Sequence, residues 1–340
     1  MTTTTDATTR PWASFCMATF RRPERLESTI RAILSQTFRD FEIVVSDNDP
    51  ARSGAPVIDR IGDSRIRYFA NDENVGMVVN FNRALSHATG SYVIMITDDD
   101  PVQPTMLQTL RDLWTKHPQF GAYYGACEVD FQDETVAAKY GRPPGKVQLL
   151  APRPEGDVWR IDAADFPTVY FRGQVFPYVL WSCGMVRRDI ALEIGGMPDY
   201  GSPFLTDFGY IVLAGSRAGC CCVNTMLGFQ AVHSGNFGRR EVSELIRAVQ
   251  GFEAHVEKRM SHRPGWPAER RDMETMLSNW VAAHLRFLWE FHRDSGRLRE
   301  VAVELLKSLR VPYLRHNIGR LTLELTRKEA RLRLSRFLRP

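Results

Sequence analysis

Asp98, Asp99 and Asp100 follow a run of apolar and aromatic residues, Tyr92–Ile96, that has no polar break. Three adjacent carboxylates repel one another unless a cation or protons neutralise them. Their oxygens suit a hard divalent ion, and Mg²⁺ commonly shares its coordination sphere with substrate phosphates. The competing explanation is an acidic first turn of a helix starting near Pro101, where aspartate is favoured. The apolar run decides between them. It reads as a strand buried on both faces, and ligands of open α/β sheets bind beyond the carboxyl ends of such strands. Asp47 and Asp49 close a second apolar run, Phe41–Ser46, in the same way. Asp207 stands at the start of a helical pattern, and His233 opens a glycine-rich basic loop. An isolated aspartate in a first turn needs no functional reason. A histidine in such a loop is more plausibly a site residue than a core one.

These side chains require a frame to hold them. Trp12–Ala18, Phe41–Ser46, Ile66–Ala70, Tyr92–Ile96 and Gly121–Val129 read as strands. Between them lie helical stretches: Leu26 to Gln36, preceded by Pro23, then Ala55–Ile61, Val78–Ala88 and Met106–His117. Strand and helix alternate from residue 12 to 129, the pattern of a parallel sheet with right-handed crossovers. Asp130–Trp159, with Pro143, Pro144, Pro152 and Pro154, reads as a long loop. Strand character returns at Val179–Val186. A short helix, Arg188–Ile194, closes at Gly195-Gly196, and Thr206 is the expected N-cap of a helix running to Ala218. Cys220–Val223 reads as a short strand and residues 224–234 as a turn. From about residue 238 the periodicity is helical only, over Glu241–Lys258, Ala268–Arg293 and Leu298–Leu309. The expected organisation is an α/β domain over 12–237 and a helical region over 238–340.

Composition excludes little. The chain has 340 residues, 44% hydrophobic and 25% charged, as an ordinary globular protein does, with a formal charge of only +4. Arginine greatly outnumbers lysine, a weak sign of a GC-rich bacterial genome. The six cysteines show no CxxC or metal spacing and read as buried thiols of a reducing compartment. Residues 1–10 are threonine-rich, lack a signal-peptide core and read as disordered, and no apolar run approaches the ~20 residues of a spanning helix. A cytoplasmic location is expected. No GxGxxG follows the first strand and no Walker loop is present, so dinucleotide and P-loop chemistry are disfavoured.

Four stretches, in order, carry a family resemblance. They are Met17-Ala-Thr-Phe-Arg with Leu34-Ser-Gln-Thr-Phe; Asn74-Val-Gly with Asn82; Ala88-Thr-Gly through Asp98-Asp-Asp to Pro104; and Arg188 through Gly195-Gly196 to Leu205-Thr-Asp. Together they resemble the inverting nucleotide-sugar glycosyltransferases of family 2, which have the GT-A fold, over residues 12–235. The resemblance implies a role for each matching position. Phe20 would stack on the base of a uridine or thymidine diphosphate sugar, and Asp47 would accept from its ring N–H. Thr19, Arg21, Asn74, Asn82 and Asp98 would complete donor binding. Asp99, with Asp100 and His233, would hold Mn²⁺ or Mg²⁺, and Asp207 would be the catalytic base. Two departures stand out. Thr97 occupies a position that is acidic in many members, so the ribose contact passes to Asp98. Thr206 replaces a glutamate common before the base. A nucleotidyltransferase would also use strand-end acids and Mg²⁺, but would want a Gly-rich basic loop after the first strand. A non-catalytic sugar-nucleotide binder is disfavoured because every acid is present.

The acceptor class stays open among a lipid-linked glycan, a protein and a small natural product; no nucleic-acid partner is expected. Residues 310–340 hold nine Lys/Arg against Glu324 and Glu329. Leu314, Ile318, Leu321 and Leu325 recur there at helical spacing, and Leu334, Phe337 and Leu338 continue the apolar presence. Such a helix is a candidate for peripheral contact with an anionic membrane. Equally, its stripe would pack on the catalytic domain or in a homodimer.

Overall fold

The computed structural model describes residues 10–139, 142–174, 180–236, 242, 244–293 and 296–337, with side chains of the last helix through residue 328. Side-chain alternation builds the sheet. In β1 (Ala13–Thr19), Cys16 and Ala18 face one layer of helices while Phe15 and Met17 face the other. In β4 (Tyr92–Thr97), Val93 and Met95 join the first layer, and Tyr92, Ile94 and Ile96 the second. All strands buried on both faces read as the unbroken apolar runs seen in the sequence.

β1 pairs in parallel with β2 (Phe41–Asp47) and β4, and β2 in parallel with β3 (Ile66–Ala70). Beyond β4, the short β8 (Gly184–Arg187) runs antiparallel between β4 and β5 (Ala122–Phe131). β5 pairs in parallel with β9 (Cys220–Val232). Among the described residues the sheet has nine strands in the order β3-β2-β1-β4-β8-β5-β9-β7, where β7 is Val158–Ile161, with β6 (Gly145–Gln148) on β5. The mostly parallel α/β class expected from the sequence is the one observed.

Helices α1 (Pro23–Leu34), α2 (Ala55–Ile61) and α4 (Met106–Lys116) cover one face through Leu26, Ile30, Val57, Leu107 and Leu110. The other face receives α3 (Met77–His87), α7 (Arg188–Glu193) and α8 (Thr206–Ala218). The C-terminal helices α9 (Leu245–Met260), α10 (Trp266–His292), α11 (Leu298–Ser308) and α12 (Arg315–Phe337) extend that same layer. Their buried residues, from Leu245 to Leu325, belong to one apolar cluster with Val78 and Tyr210. The expected boundary near 238 lies outside the described residues. Gly90 marks a close approach before β4: a Cβ there would sit 2.7 Å from the Ser14 hydroxyl and 2.8 Å from Ala13 backbone.

Several expectations need correction. Residues 130–159 are not one loop: α5 (Glu134–Lys139), β6 and the start of β7 (Val158–Ile161) lie within them. β6 and β7 escaped notice because each is four residues long, at the sheet margin. The strand at residue 220 does not stop at 223. Its register against β5 jumps at Gly125/Ala126 and again at Ala126/Cys127, so Asn224–Gly228 is bulged strand and not turn. Buried Asn224 explains the turn-like composition, since its amide bonds the backbone of Ala151, Arg153 and Pro154. Thr206 is not the N-cap of α8. Leu205 occupies that position with φ of 64°, and the Thr206 hydroxyl donates to the Pro198 carbonyl at 3.1 Å. Before β8 the chain makes a 3-10 turn, Trp181–Cys183, where strand was expected; Val179 lies outside the described residues.

The apolar stripe of the tail faces inward. Leu314 and Ile318 are fully buried and Leu321 and Leu325 nearly so, within the cluster shared with α10. Arg286 clasps Glu324 through two 2.6 Å bonds, and Lys328 reaches Glu290 at 2.6 Å. That stripe is therefore not a membrane or dimer face. Leu334, Phe337 and Leu338 lie outside the described side chains. Among the described residues, no helix is long and apolar enough to cross a membrane. All six cysteines are free and buried, as expected of thiols that pack.

Candidate active site

The parallel registers bring the strand exits to one edge. Thr19 lies opposite Asp47, and Ala18 opposite Thr97, so the residues that follow converge. A cleft of about 790 Å³ opens there. Thr19, Phe20, Arg21, Asn74, Asp98 and Asp99, six of the residues expected at a donor site, line it.

Phe20 is 36% exposed, with the Arg21 guanidinium 4.9 Å from its ring centre. Arg21 has φ of 56°, a strained backbone for a non-glycine residue, and its Nε bonds Asp49 at 3.1 Å. The Thr19 hydroxyl donates to Asp98 Oδ2 at 2.7 Å. The floor is an amide network. Asn48 donates to Asn74 at 2.7 Å, Asn71 donates to Asn80 at 2.8 Å, and Asn80 donates to the Ser46 carbonyl at 2.9 Å.

The three acids behave differently. Asp98 is buried, and burial together with the Asp99 charge pushes its carboxyl up to about 6 against the pull of Arg22 and Thr19. Asp99 is also buried, but the bond from His233 and the Arg22 charge outweigh desolvation and hold its carboxyl below the ordinary value. Asp100 turns away. Its Oδ1 accepts the Ala231 N–H at 3.0 Å, and burial beside Asp99 pushes it up to about 8. It ties the β4 exit to β9 and, unlike Asp98 and Asp99, does not line the cleft, although a metal-binding role was expected of it.

His233 arrives at the end of β9, which runs parallel to β5 and so ends at this edge. Its Nδ1 accepts the Gly235 N–H at 3.1 Å, which assigns the proton to Nε2. Nε2 lies 3.2 Å from Asp99 Oδ2 and donates to it. His233 was expected to help hold a metal with Asp99; here its ring is hydrogen-bonded to that carboxylate. Among the described residues no three His, Cys, Asp or Glu side chains group as a metal cage. The carboxylates that line the cleft, Asp99 and its neighbour Asp98, fit a Mg²⁺- or Mn²⁺-type ion, which needs one or two protein carboxylates when phosphates complete its sphere.

Asp47 and Asn82 do not line the cleft. Asp47 is fully buried and accepts from the N–H groups of Asp49 and Gly54 and from the Tyr68 hydroxyl, so its carboxylate shapes the 48–54 loop. Asn82 exchanges two 2.8 Å bonds with the Met197 backbone. A Cβ on Gly196, whose φ is 71°, would come within 2.3 Å of the Asn82 oxygen. Its amide thus fixes the Gly195-Gly196 turn. Asp207 sits in the first turn of α8, half-buried; burial pushes its carboxyl up to about 6 despite backbone N–H groups that favour the charge. It is not itself a lining residue, whereas Pro203, four residues earlier, is.

Sequence reasoning missed Arg22, whose Nη1 reaches Asp99 at 2.9 Å and Asp98 at 3.3 Å. Its signal was present in the Arg21-Arg22-Pro23 exit loop. It also missed Phe291, His292 and Arg297, which close the cleft from the C-terminal helices. Nothing local marks them, because only tertiary packing brings residue 291 to residue 20.

Comparisons with known proteins agree with this geometry. A family model described as glycosyl transferase family 2 matches residues 14–195. A Campylobacter jejuni GalNAc(5)-diNAcBac-PP-undecaprenol beta-1,3-glucosyltransferase is 32% identical over 123 residues, 35% of this chain and 39% of that protein. An Escherichia coli UDP-Glc:alpha-D-GlcNAc-diphosphoundecaprenol beta-1,3-glucosyltransferase, WfgD, is 23% identical over 130 residues, 38% of this chain and 51% of its own. The chain thus spans about two fifths to one half of these relatives. Among solved structures, the mannosyltransferase PcManGT of Pyrobaculum calidifontis, in complex with GDP-Man and Mn²⁺, superposes with a TM-score of 0.54 at 17% identity, covering 93% of this chain and 87% of its own. S. aureus TarS 1-349 in complex with UDP-GlcNAc gives 0.51 at 11% identity, covering 85% and 88%. Both likenesses support the GT-A fold. The family match covers more than half the chain and includes the strand exits that form the cleft, so this protein belongs to glycosyl transferase family 2.

Proposed function

We propose that the chain transfers a sugar from a nucleoside-diphosphate donor to an acceptor hydroxyl, by direct displacement with inversion. The observation that carries this reading is the strand-end cleft. An exposed aromatic, Phe20, stands on one side, and the buried acids Asp98 and Asp99, with His233 bonded to Asp99, stand below it. The base would stack on Phe20 beside Arg21, with Asn48 and Asn74 offering amide contacts, and Thr19 and Asp98 would orient the ribose. Asp47 takes no direct part while the 48–54 loop keeps its present hydrogen bonds.

Asp99 is the residue that would hold Mn²⁺ or Mg²⁺. When bound, such an ion neutralises charge developing on the diphosphate leaving group. His233 keeps the Asp99 carboxylate in place. In the transfer, the acceptor oxygen bonds to the anomeric carbon as the bond from that carbon to the diphosphate oxygen breaks. The hydroxyl proton passes to Asp207, whose carboxyl, pushed up to about 6, is matched to such a base. One carboxylate suffices for inversion, whereas retention through a covalent intermediate needs a nucleophile as well. The named acceptors of the two curated relatives are undecaprenol diphosphates, and we extend a lipid-diphosphate-linked glycan to this chain on that ground.

Calorimetry with UDP, dTDP and GDP, each with Mn²⁺ and with EDTA, tests the reading. One nucleotide should bind with Mn²⁺ and lose most affinity in EDTA, and Asp99→Ala should remove the metal response. Equal affinity under both conditions would sink the metal-dependent mechanism.

A further inference from the structure

The strand-end acids already carry a cation of the chain's own. Arg22 sits at the exit of β1, immediately before Pro23 and α1, and both of its contacts run through Nη1. The pairing is asymmetric. The Asp98 and Asp99 side chains are only 5% and 7% exposed, whereas that of Arg22 is 39% exposed. Asp98 is further fixed by Thr19, and its carbonyl accepts from Thr29 of α1 at 2.9 Å. Asp99 Oδ2 accepts from Arg22 and His233 at once. A divalent ion on that oxygen has to displace one of them. His233 is held from behind by Gly235 and is half-buried; Arg22 is on a flexible, solvent-reaching arm. The neighbouring Arg21 is committed elsewhere, to Asp49.

We propose that Arg22 is a resident counter-ion that donor binding exchanges: its guanidinium leaves Asp98 and Asp99 as the divalent ion arrives with the nucleotide, and turns to the diphosphate. The proposal rests on the metal-dependent reading above. A guanidinium satisfies buried carboxylates while the site is empty of donor, and its planar fork suits diphosphate oxygens once released. The exchange makes the acids poor ligands for the ion alone and good ones for the ion with its nucleotide.

The test titrates Mn²⁺ alone into wild type, Arg22→Gln, Arg22→Lys and Arg21→Gln. It then titrates the nucleoside diphosphate selected by the calorimetric panel at saturating Mn²⁺. Arg22→Gln should bind Mn²⁺ alone about tenfold more tightly, and the nucleotide about tenfold more weakly, the scale of one charge-assisted hydrogen bond. Arg22→Lys should fall between it and wild type, and Arg21→Gln should match wild type for Mn²⁺ alone. An Arg22→Gln protein with wild-type Mn²⁺ affinity overturns the proposal. So does an Arg21→Gln protein that gains as much. If wild type binds nucleotide equally in Mn²⁺ and EDTA, the metal-dependent reading falls and takes the proposal with it. If wild type depends on Mn²⁺ and Arg22→Gln is unchanged, only the proposal falls.

Discussion

A carboxylate can be held beside this cleft in three ways, and the three adjacent aspartates illustrate all of them: Asp98 by a hydroxyl, Asp99 by a guanidinium and an imidazole, and Asp100 by a backbone N–H. Asp207 adds a fourth environment. Burial raises its carboxyl to about 6, with no ion-pair partner among the described residues to oppose it. In the proposed role of base it would act only when ionised. With wild type, kcat/KM should therefore fall about tenfold per pH unit below about 6 and flatten above it, while Asp207→Asn should lose about 10²–10⁴-fold in turnover with donor affinity kept. A variant with near-normal turnover would move the base elsewhere, Asp199 being the next carboxylate to try. The same shift has a stability consequence. The folded chain binds this proton more tightly than the unfolded one, so the group favours folding at low pH and costs stability as pH rises from the ordinary carboxylate range through about 6. The acids at the strand exits were legible in the sequence because an apolar run that stops at a charge locates a strand end. Which way each side chain turns was not legible. Asp47 points into its own loop and Asn48 into the cleft, a choice made by Tyr68, Gly54 and Asn74, which are 7 to 26 residues further on.

Elements were easiest to read where one face of a helix repeats or where a strand is buried on both sides. β3 and α2 have the ends their sequence implied. β9 did not, because two bulges insert Asn224, Thr225 and Leu227 into the strand, and short-range composition cannot distinguish a bulge from a turn. Asn82 illustrates the same limit on a helix. A polar residue on α3 that would face a nucleotide instead completes the backbone of the Met197 turn, across 115 residues. Asn82→Ala leaves a buried N–H and a carbonyl without partners, which costs about 1–3 kcal/mol. The expected outcome is a lower denaturation midpoint with unchanged nucleotide affinity. Weakened nucleotide binding at full stability would return Asn82 to the donor site.

At the scale of the whole molecule, the C-terminal helices share the apolar cluster of the sheet and do not stand apart from it. Ile318→Ala should therefore cost about 2–5 kcal/mol of stability, read as a fall in denaturation midpoint, because it empties a fully buried position. Co-sedimentation with anionic liposomes should be unaffected by it. A stable Ile318→Ala protein that loses liposome binding would place this stripe on a membrane after all. The sequence displayed the stripe clearly, but amphipathic periodicity is the same whether the apolar side meets lipid or protein.

The cleft is assembled across a seam. The stretch matched by the family ends at residue 195 and carries the exits of β1, β2 and β4, whereas Pro203, Phe291, His292 and Arg297, which also line the cleft, come from beyond it. Substitutions at Phe291, His292 or Arg297 can therefore reshape the cleft without altering a residue of the strand exits.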